Sequence, residues 1–141
     1  MDNNINIEEN LLEPFLNLKG LLSQKVEYQS NENFLTFVKR MAPSIVSDFK
    51  MGNHIRVISD KLQDLEEGKI KRLMVFLPPR SSKSVICSKL FPAWYIGRHP
   101  EHEILTVSHS DQLSSDFGRS VRDVVNTEEF QKIFRGVQLR S

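Results

Sequence analysis

Two short apolar runs constrain the fold of this 141-residue chain more than any other feature. Residues 72–77 (RLMVFL) and 103–107 (EILTV) lack the alternation of a half-exposed strand, as expected of strands buried on both faces of a parallel sheet. A helical pattern separates the two runs, and another follows the second. Parallel strands need a crossover connection, so the order strand, helix, strand, helix predicts an α/β domain with a right-handed crossover.

The first 50 residues are predicted to form a helical segment ahead of the α/β part in residues 51–141. Pro14 is expected to split or start the first helix, residues 24–31 are polar and predict a loop, and the second helix is expected to end before Pro43. An apolar stripe at helical spacing marks the first helix: Leu11, Phe15, Leu18 and Leu22.

Capping and breaking residues mark the later helices. Asn53 is placed to cap the third helix, and Gly68 lies where a C-terminal glycine belongs. Pro92 is expected to kink or restart the helix between the two apolar runs, and Gly97 to end it. Ser110 is expected to cap the helix after the second run.

Composition excludes several classes of protein. The net charge is +1, so any attraction for nucleic acid or anionic membranes must come from a local basic site. Cys87 is the single cysteine, which rules out an internal disulfide and fits a reducing compartment. No apolar segment approaches the roughly 20 residues that span a bilayer, and the acidic, Asn-rich start does not resemble a signal peptide. These features predict a soluble intracellular protein.

The stretch LPPRSSKS, residues 77–84, lies between the first predicted strand and a helix start. Backbone N–H groups and the helix dipole converge at such a point and favour an anion. Lys83 is placed to reach the outer phosphates of a nucleotide, and the Ser84 hydroxyl to bind a magnesium ion that bridges them. Arg80 adds a second cation close to the same point.

The loop lacks the glycines of the phosphate-binding pattern GxxxxGK[ST]. Leu77 and Ser82 occupy the two glycine positions. The pair Pro78-Pro79 can impose the first turn by restricting the backbone, whereas a side chain at Ser82 crowds the approach of a phosphate. Without the rest of the sequence, a proline turn with a Ser-rich helix cap and a solvated Lys83 is an equally good interpretation.

Residues 50 to 135 resemble the large terminase subunit of tailed bacteriophages. That family has a strand, a Pro-Pro-Arg phosphate loop ending in Lys-Ser, a Phe-Pro-Ala-Trp-type helix, a second strand with a small polar run, and a helix with a Phe-Gly-Arg pattern. The corresponding parts here are Pro78-Pro79-Arg80, Lys83-Ser84, Phe91-Pro92-Ala93-Trp94, Ser108-His109-Ser110 and Phe117-Gly118-Arg119 with Arg122. Ser82 departs from the glycine of the family and puts the strength of nucleotide binding in doubt.

The resemblance implies a RecA-like P-loop ATPase that uses ATP and Mg²⁺ to drive viral DNA into a procapsid, joined to a nuclease. It implies that Lys83 binds the β- and γ-phosphates, that Ser84 binds Mg²⁺, and that Arg80 stabilises charge on the transferring group. Its implied partners are double-stranded viral DNA, the small terminase subunit and the portal protein, in a homo-oligomeric ring in the host cytoplasm. The implied nucleotide-binding residues are Pro79, Arg80, Ser81, Ser82, Lys83 and Ser84.

The carboxylates that ATP hydrolysis and a two-metal nuclease require do not follow Val125, where only Glu128 and Glu129 occur. The chain is therefore expected to be an N-terminal piece, without the Walker B residue and the nuclease domain, that does not turn over ATP unaided. Two rival interpretations remain: a fragment of another helicase-like P-loop ATPase, and a non-catalytic interaction module in which residues 1–50 dock a partner.

Other polar residues have weaker functional interpretations. His99 and His102 have metal-compatible spacing but no third ligand that the sequence identifies, so surface histidines are favoured. His109 follows the second predicted strand, on the side where ligands of α/β sheets gather, although a loop role is favoured. For the remaining residues, helix capping or solvation is a better explanation than contact with a nucleotide base, contact with DNA, or acid/base catalysis. These residues are Asn53, His54, Arg119, Arg122, Glu66 and Glu67.

Overall fold

The computed structural model describes residues 7–137, with side chains from residue 14 onward. No strand occurs in that range, so the predicted α/β fold with a RecA-like parallel sheet is wrong, and the described part of the chain is all-helical. The helical elements are α1 Ile7–Glu32, α2 Phe34–Ile45, α3 Asn53–Glu66, a π-helical segment Val85–Leu90, α4 Phe91–Arg98, α5 Asp111–Val125 and α6 Glu128–Ile133.

The two apolar runs predicted as strands are non-helical but form no strand. Leu73, Val75 and Leu77 pack against the helical core. Met74 and Phe76, on the opposite side, are 81% and 84% exposed. In 103–107 all five residues are exposed. Strands exist only where neighbouring backbones exchange hydrogen bonds, and no such ladder joins these segments to any described residue. The sequence pattern located both non-helical segments, but it does not specify the neighbouring strands with which they would have to pair.

The core forms around α2, which contacts α1, α3, the π-helical segment and α4. Aromatic side chains fill much of it. Phe34 packs against Trp94 with ring centroids 5.2 Å apart, and Phe37 meets Phe130 edge to face at 6.2 Å. Such tilted contacts add to the burial of apolar area. Other fully buried core residues are Val38, Met41, Ala42, Ile86, Leu90 and Ala93.

Two helix boundaries differ from the prediction. Residues 24–31 continue α1 instead of forming a loop, and Pro14 lies within that helix. The indole Nε1 of Trp94 donates to the carbonyls of Ser30 and Asn31, at 3.1 and 3.0 Å, so a distant residue anchors the polar end of α1. Pro43 lies within α2, and the backbone N–H of Val46 still donates a helical hydrogen bond to the Ala42 carbonyl. At the end of α1, a hydrogen bond from a distant residue thus overrides local preference.

Two of the predictions for helix ends are confirmed, and two are wrong. Gly68 follows Glu67, the C-cap residue of α3, and has a φ of 73°, a left-handed conformation that favours glycine. The Ser110 hydroxyl accepts a hydrogen bond from Leu113 N at the start of α5. The prediction for Asn53 is wrong, because Gly52 is the N-cap and makes no side-chain bond. Gly97 does not end its helix: a Cβ there would lie 2.6 Å from the Phe134 ring, so glycine permits close packing.

Among the described residues, no helix is both long enough and apolar enough to cross a membrane.

We expect the exposed apolar side chains of residues 72–77 to promote self-association of the purified chain. Phe76→Ser should raise the protein concentration at which aggregates form, because it breaks an exposed apolar segment with unpaired backbone groups. Dynamic light scattering across a concentration series measures this. Phe15→Ser, on a helix and 70% exposed, is the matched control and should have the smaller effect. Equal aggregation of Phe76→Ser and the unchanged chain would contradict the expectation.

Candidate phosphate-binding loop

The loop singled out in the sequence lines one open cavity of about 300 Å³. It connects the extended segment 72–77 to the helix that begins at residue 83. All six residues that the sequence assigned to nucleotide binding lie around this cavity. Its walls consist of Leu77, Pro78, Pro79, Arg80, Ser81, Ser82, Lys83, Ser84 and Val85.

The backbone of the loop alternates between positive and negative φ. Arg80 and Ser82 have φ of 62° and 59°, and the residues between and beside them do not share this left-handed conformation. Alternation of this kind is typical of nests, in which successive N–H groups converge on an anion. The N–H groups of residues 80–82 have no hydrogen-bond acceptor within residues 7–137. The loop therefore offers backbone donors that no described residue uses.

Two hydrogen bonds hold this conformation. The Ser81 hydroxyl donates to the Pro78 carbonyl at 2.7 Å, and Ile86 N donates to the Ser82 carbonyl at 3.0 Å. The helix that follows is continuous from residue 83 to Arg98, with π-helical geometry over Val85–Leu90 and α-helical geometry from Phe91. The kink or restart predicted at Pro92 corresponds only to this change of geometry at Phe91, because the helix is not interrupted there. A π-helical turn is uncommon and often lies beside a functional site.

The side chains give the cavity a positive character. Arg80, Lys83 and Ser84 are exposed to solvent, and no acidic residue is among the residues that line the cavity. Two cations, a hydroxyl and unused backbone donors suit a multiply charged oxyanion such as a phosphate chain. The exposed Ser84 hydroxyl is available to a Mg²⁺ ion that such a phosphate would carry.

A second cavity of about 370 Å³ adjoins the loop and shares Lys83 and Ser84 with it. Burial raises the pKa of the Cys87 thiol in this cavity, and the nearby Lys83 charge opposes that effect only in part. Cys87 is therefore mainly an uncharged thiol near neutral pH and a poor nucleophile. The other walls are largely apolar: Leu62, Leu65, Leu73, Val75, Ser88 and Phe91.

Several residues that the sequence analysis weighed for a functional role do not lie at this loop. His109 is exposed beyond the segment 103–107, and Arg119 contacts Asp116 on its own helix. His54 lines a different cavity together with Met74 and Phe76. None of these residues borders either loop cavity.

Glu66 and Glu67 do not form an acid/base pair. Glu66 Oε1 is bound by Arg98 and His99, whereas Glu67 contacts Lys69 and accepts a hydrogen bond from Gln63. The Lys69 hydrogen bond lowers the pKa of the Glu67 carboxyl, with help from Gln63. The two carboxylates thus serve separate contacts at the end of α3.

Comparisons of the chain with protein-family models, with curated proteins and with solved structures find no match.

We expect Ser82→Gly to stabilise the loop conformation. A residue other than glycine in the left-handed region costs about 1–2 kcal/mol, and glycine removes that cost. Part of the gain is lost because glycine is more flexible in the unfolded chain. Urea unfolding and nucleotide titration of the variant both report the change.

The matched control is Ser81→Gly, the neighbouring serine without a left-handed φ. It removes the bond to the Pro78 carbonyl without relieving any strain, so it should destabilise the loop. If Ser82→Gly destabilised the protein or weakened binding as much as Ser81→Gly, the strained conformation at position 82 would be refuted.

Proposed function

We propose that residues 78–84 bind the phosphate chain of a nucleotide, ATP with Mg²⁺. The observation that supports this proposal is the alternation of φ at Arg80 and Ser82, in a loop whose N–H groups 80–82 have no acceptor among the described residues and which lines a cavity with two cations. A proline turn that only joins two elements does not require two strained residues. Strain of this kind is kept where the surrounding structure or a function demands it.

The proposed roles follow the chemistry of each side chain. Lys83, at the helix start, binds the β- and γ-phosphates as a point charge, and Ser84 binds Mg²⁺ through its hydroxyl. Arg80 stabilises the charge on the terminal phosphoryl group. Pro79, Ser81 and Ser82 shape the backbone that presents the N–H donors.

We further propose that the chain is the N-terminal ATPase part of a phage terminase large subunit, a viral DNA-packaging motor. The support is the order of its motifs: the Pro-Pro-Arg loop, Lys-Ser, the Phe-Pro-Ala-Trp helix and the Phe-Gly-Arg helix. Viral DNA, a small terminase subunit, a portal protein and a ring of like subunits are then its proposed partners. This proposal rests on motifs and local loop geometry, and it does not include the parallel sheet.

Equilibrium binding of a fluorescent ATP analogue to the 141-residue chain, with and without Mg²⁺, tests the nucleotide proposal. We expect saturable binding that unlabelled ATP and pyrophosphate both displace, because the loop recognises phosphates. Displacement by adenosine but not by pyrophosphate, or no saturable binding, would exclude a phosphate-binding loop. A helicase-like ATPase fragment is the alternative that this experiment does not separate from a terminase.

A second candidate function is an interaction module in residues 1–50. It is favoured by the exposure of Phe15, Leu18 and Leu22 on α1, which are 70%, 55% and 55% exposed and do not cover the core. Exposed apolar stripes of this kind mark surfaces for other proteins. Nucleotide binding that depends on Lys83 separates the two candidates, because the interaction module requires none.

A further inference from the structure

Three potential metal ligands meet in the turn that follows α4. Ligand atoms of His99, Glu101 and His102 all lie within 4.8 Å of one another. The turn is closed by a hydrogen bond from His102 N to the His99 carbonyl at 3.0 Å. The two imidazole rings lie 4.9 Å apart and nearly parallel, and His102 Nε2 is 3.7 Å from a Glu101 oxygen. Glu101 is thus the third potential ligand, which the sequence did not identify.

Each histidine is held by a partner from a helix. His99 Nε2 lies 2.8 Å from Oε1 of Glu66 on α3, and His102 Nδ1 lies 3.0 Å from the Tyr95 hydroxyl on α4. Metal-binding histidines commonly use one ring nitrogen for the metal and give the other to a carboxylate or another polar group. The arrangement leaves His99 Nδ1 and His102 Nε2 as the nitrogens available to a cation.

Glu66, the partner of His99, is a buried carboxylate with one oxygen that has no hydrogen-bond donor in the described part of the chain. Its side chain is only 3% exposed, and its Oε1 also accepts a hydrogen bond from Arg98 at 2.8 Å. Its Oε2 is buried and finds no donor among the residues that the structure describes. A buried carboxylate oxygen without a partner is unfavourable and calls for an explanation. A cation bound on the far side of the His99 ring would strengthen the interaction of that ring with Glu66.

We propose that His99, Glu101 and His102 bind a divalent transition-metal ion, Zn²⁺ in preference, with Glu66 and Tyr95 as positioning residues. Two imidazoles and one carboxylate suit Zn²⁺ and leave its fourth position to water. Ligand atoms of a tetrahedral Zn²⁺ site lie roughly 3.3 Å apart, so small movements of the exposed Glu101 and His102 side chains complete the site. The bound ion would tie the turn after α4 to α3. This inference is independent of the nucleotide proposal.

Titration of the untagged, EDTA-treated chain with Zn²⁺ by calorimetry, and with Co²⁺ by visible absorption, tests the site. We expect one ion per chain. His102→Gln and Glu101→Gln, which remove ligands, should each weaken binding by at least about 10-fold, the lower end of the loss seen when supporting groups are removed. His109→Gln and Glu103→Gln are matched controls outside the cluster and should bind as the unchanged chain does.

The variant Tyr95→Phe tests whether Tyr95 positions His102 for the metal or only supports the fold. It removes one hydroxyl, so we expect roughly 10-fold weaker binding and a shifted Co²⁺ absorption band, while His102 remains as a ligand. The proposal is overturned if the unchanged chain binds no Zn²⁺ at micromolar concentrations. It is equally overturned if the ligand variants bind as well as the unchanged chain, or if the control variants lose as much affinity as the ligand variants do.

Discussion

Replacement of Trp94 by alanine is expected to lower the free energy of unfolding by about 3–5 kcal/mol, the usual cost of truncating a large buried aromatic side chain. Trp94 is fully buried and packs against Phe34 and Phe91. Its indole also donates to the carbonyls at the end of α1, which would lose that donor. The loss therefore combines a cavity with an unpaired acceptor at Ser30, whereas the Asn31 carbonyl keeps the hydrogen bond that Arg98 donates.

Urea unfolding followed by circular dichroism measures this difference. Trp94→Phe keeps most of the apolar volume but removes the indole N–H, so it should cost less and remain measurable if the alanine variant does not fold. Phe15→Ala is the control: this aromatic side chain is 70% exposed, and its removal should change stability by no more than about 0.5 kcal/mol. A Trp94→Ala variant as stable as the Phe15→Ala variant would show that the α1–α4 contact contributes little.

Lys83→Ala is expected to weaken binding of Mg²⁺-ATP by about 1.5–3 kcal/mol, or roughly 10- to 150-fold, the typical contribution of a charge-assisted contact. The Lys83 side chain is exposed, so its removal should leave the fold intact. Because the proposed contact is with the β- and γ-phosphates, the affinity for AMP should change much less than that for ATP. Titration of both nucleotides against each protein measures the two effects.

Lys71→Ala is the matched control for charge. Lys71 is also exposed and precedes the loop in the chain, but it does not line the cavity. The control should reduce ATP affinity only slightly, through general electrostatics that added salt screens. If Lys83→Ala bound ATP as tightly as the unchanged chain, or if Lys71→Ala lost the same affinity, LPPRSSKS would be only a proline turn.

The sequence predicted more about the loop at residues 77–84 than about the turn after α4. The position of the loop between an extended segment and a helix start was predicted from its flanking patterns, and its strained residue Ser82 occupies the position where the sequence pattern expects glycine. For the turn, the spacing of His99 and His102 was compatible with a metal, but the contact with Glu66, 33 residues earlier in the chain, was not predicted. Spacing within RHPEHE gave no indication of that contact.

The sequence by itself determined features that depend on neighbours a few residues apart. Gly68 ends α3 and Ser110 begins α5 because a left-handed backbone or a hydroxyl cap acts within a single turn. Only the tertiary structure decided whether residues 72–77 and 103–107 form strands, because strand pairing depends on a distant backbone and neither segment has one within residues 7–137. It likewise decided the continuation of α1 through residue 32, where the indole of Trp94 binds carbonyls 63 and 64 residues earlier. Such contacts depend on how the helices pack, which local periodicity does not specify.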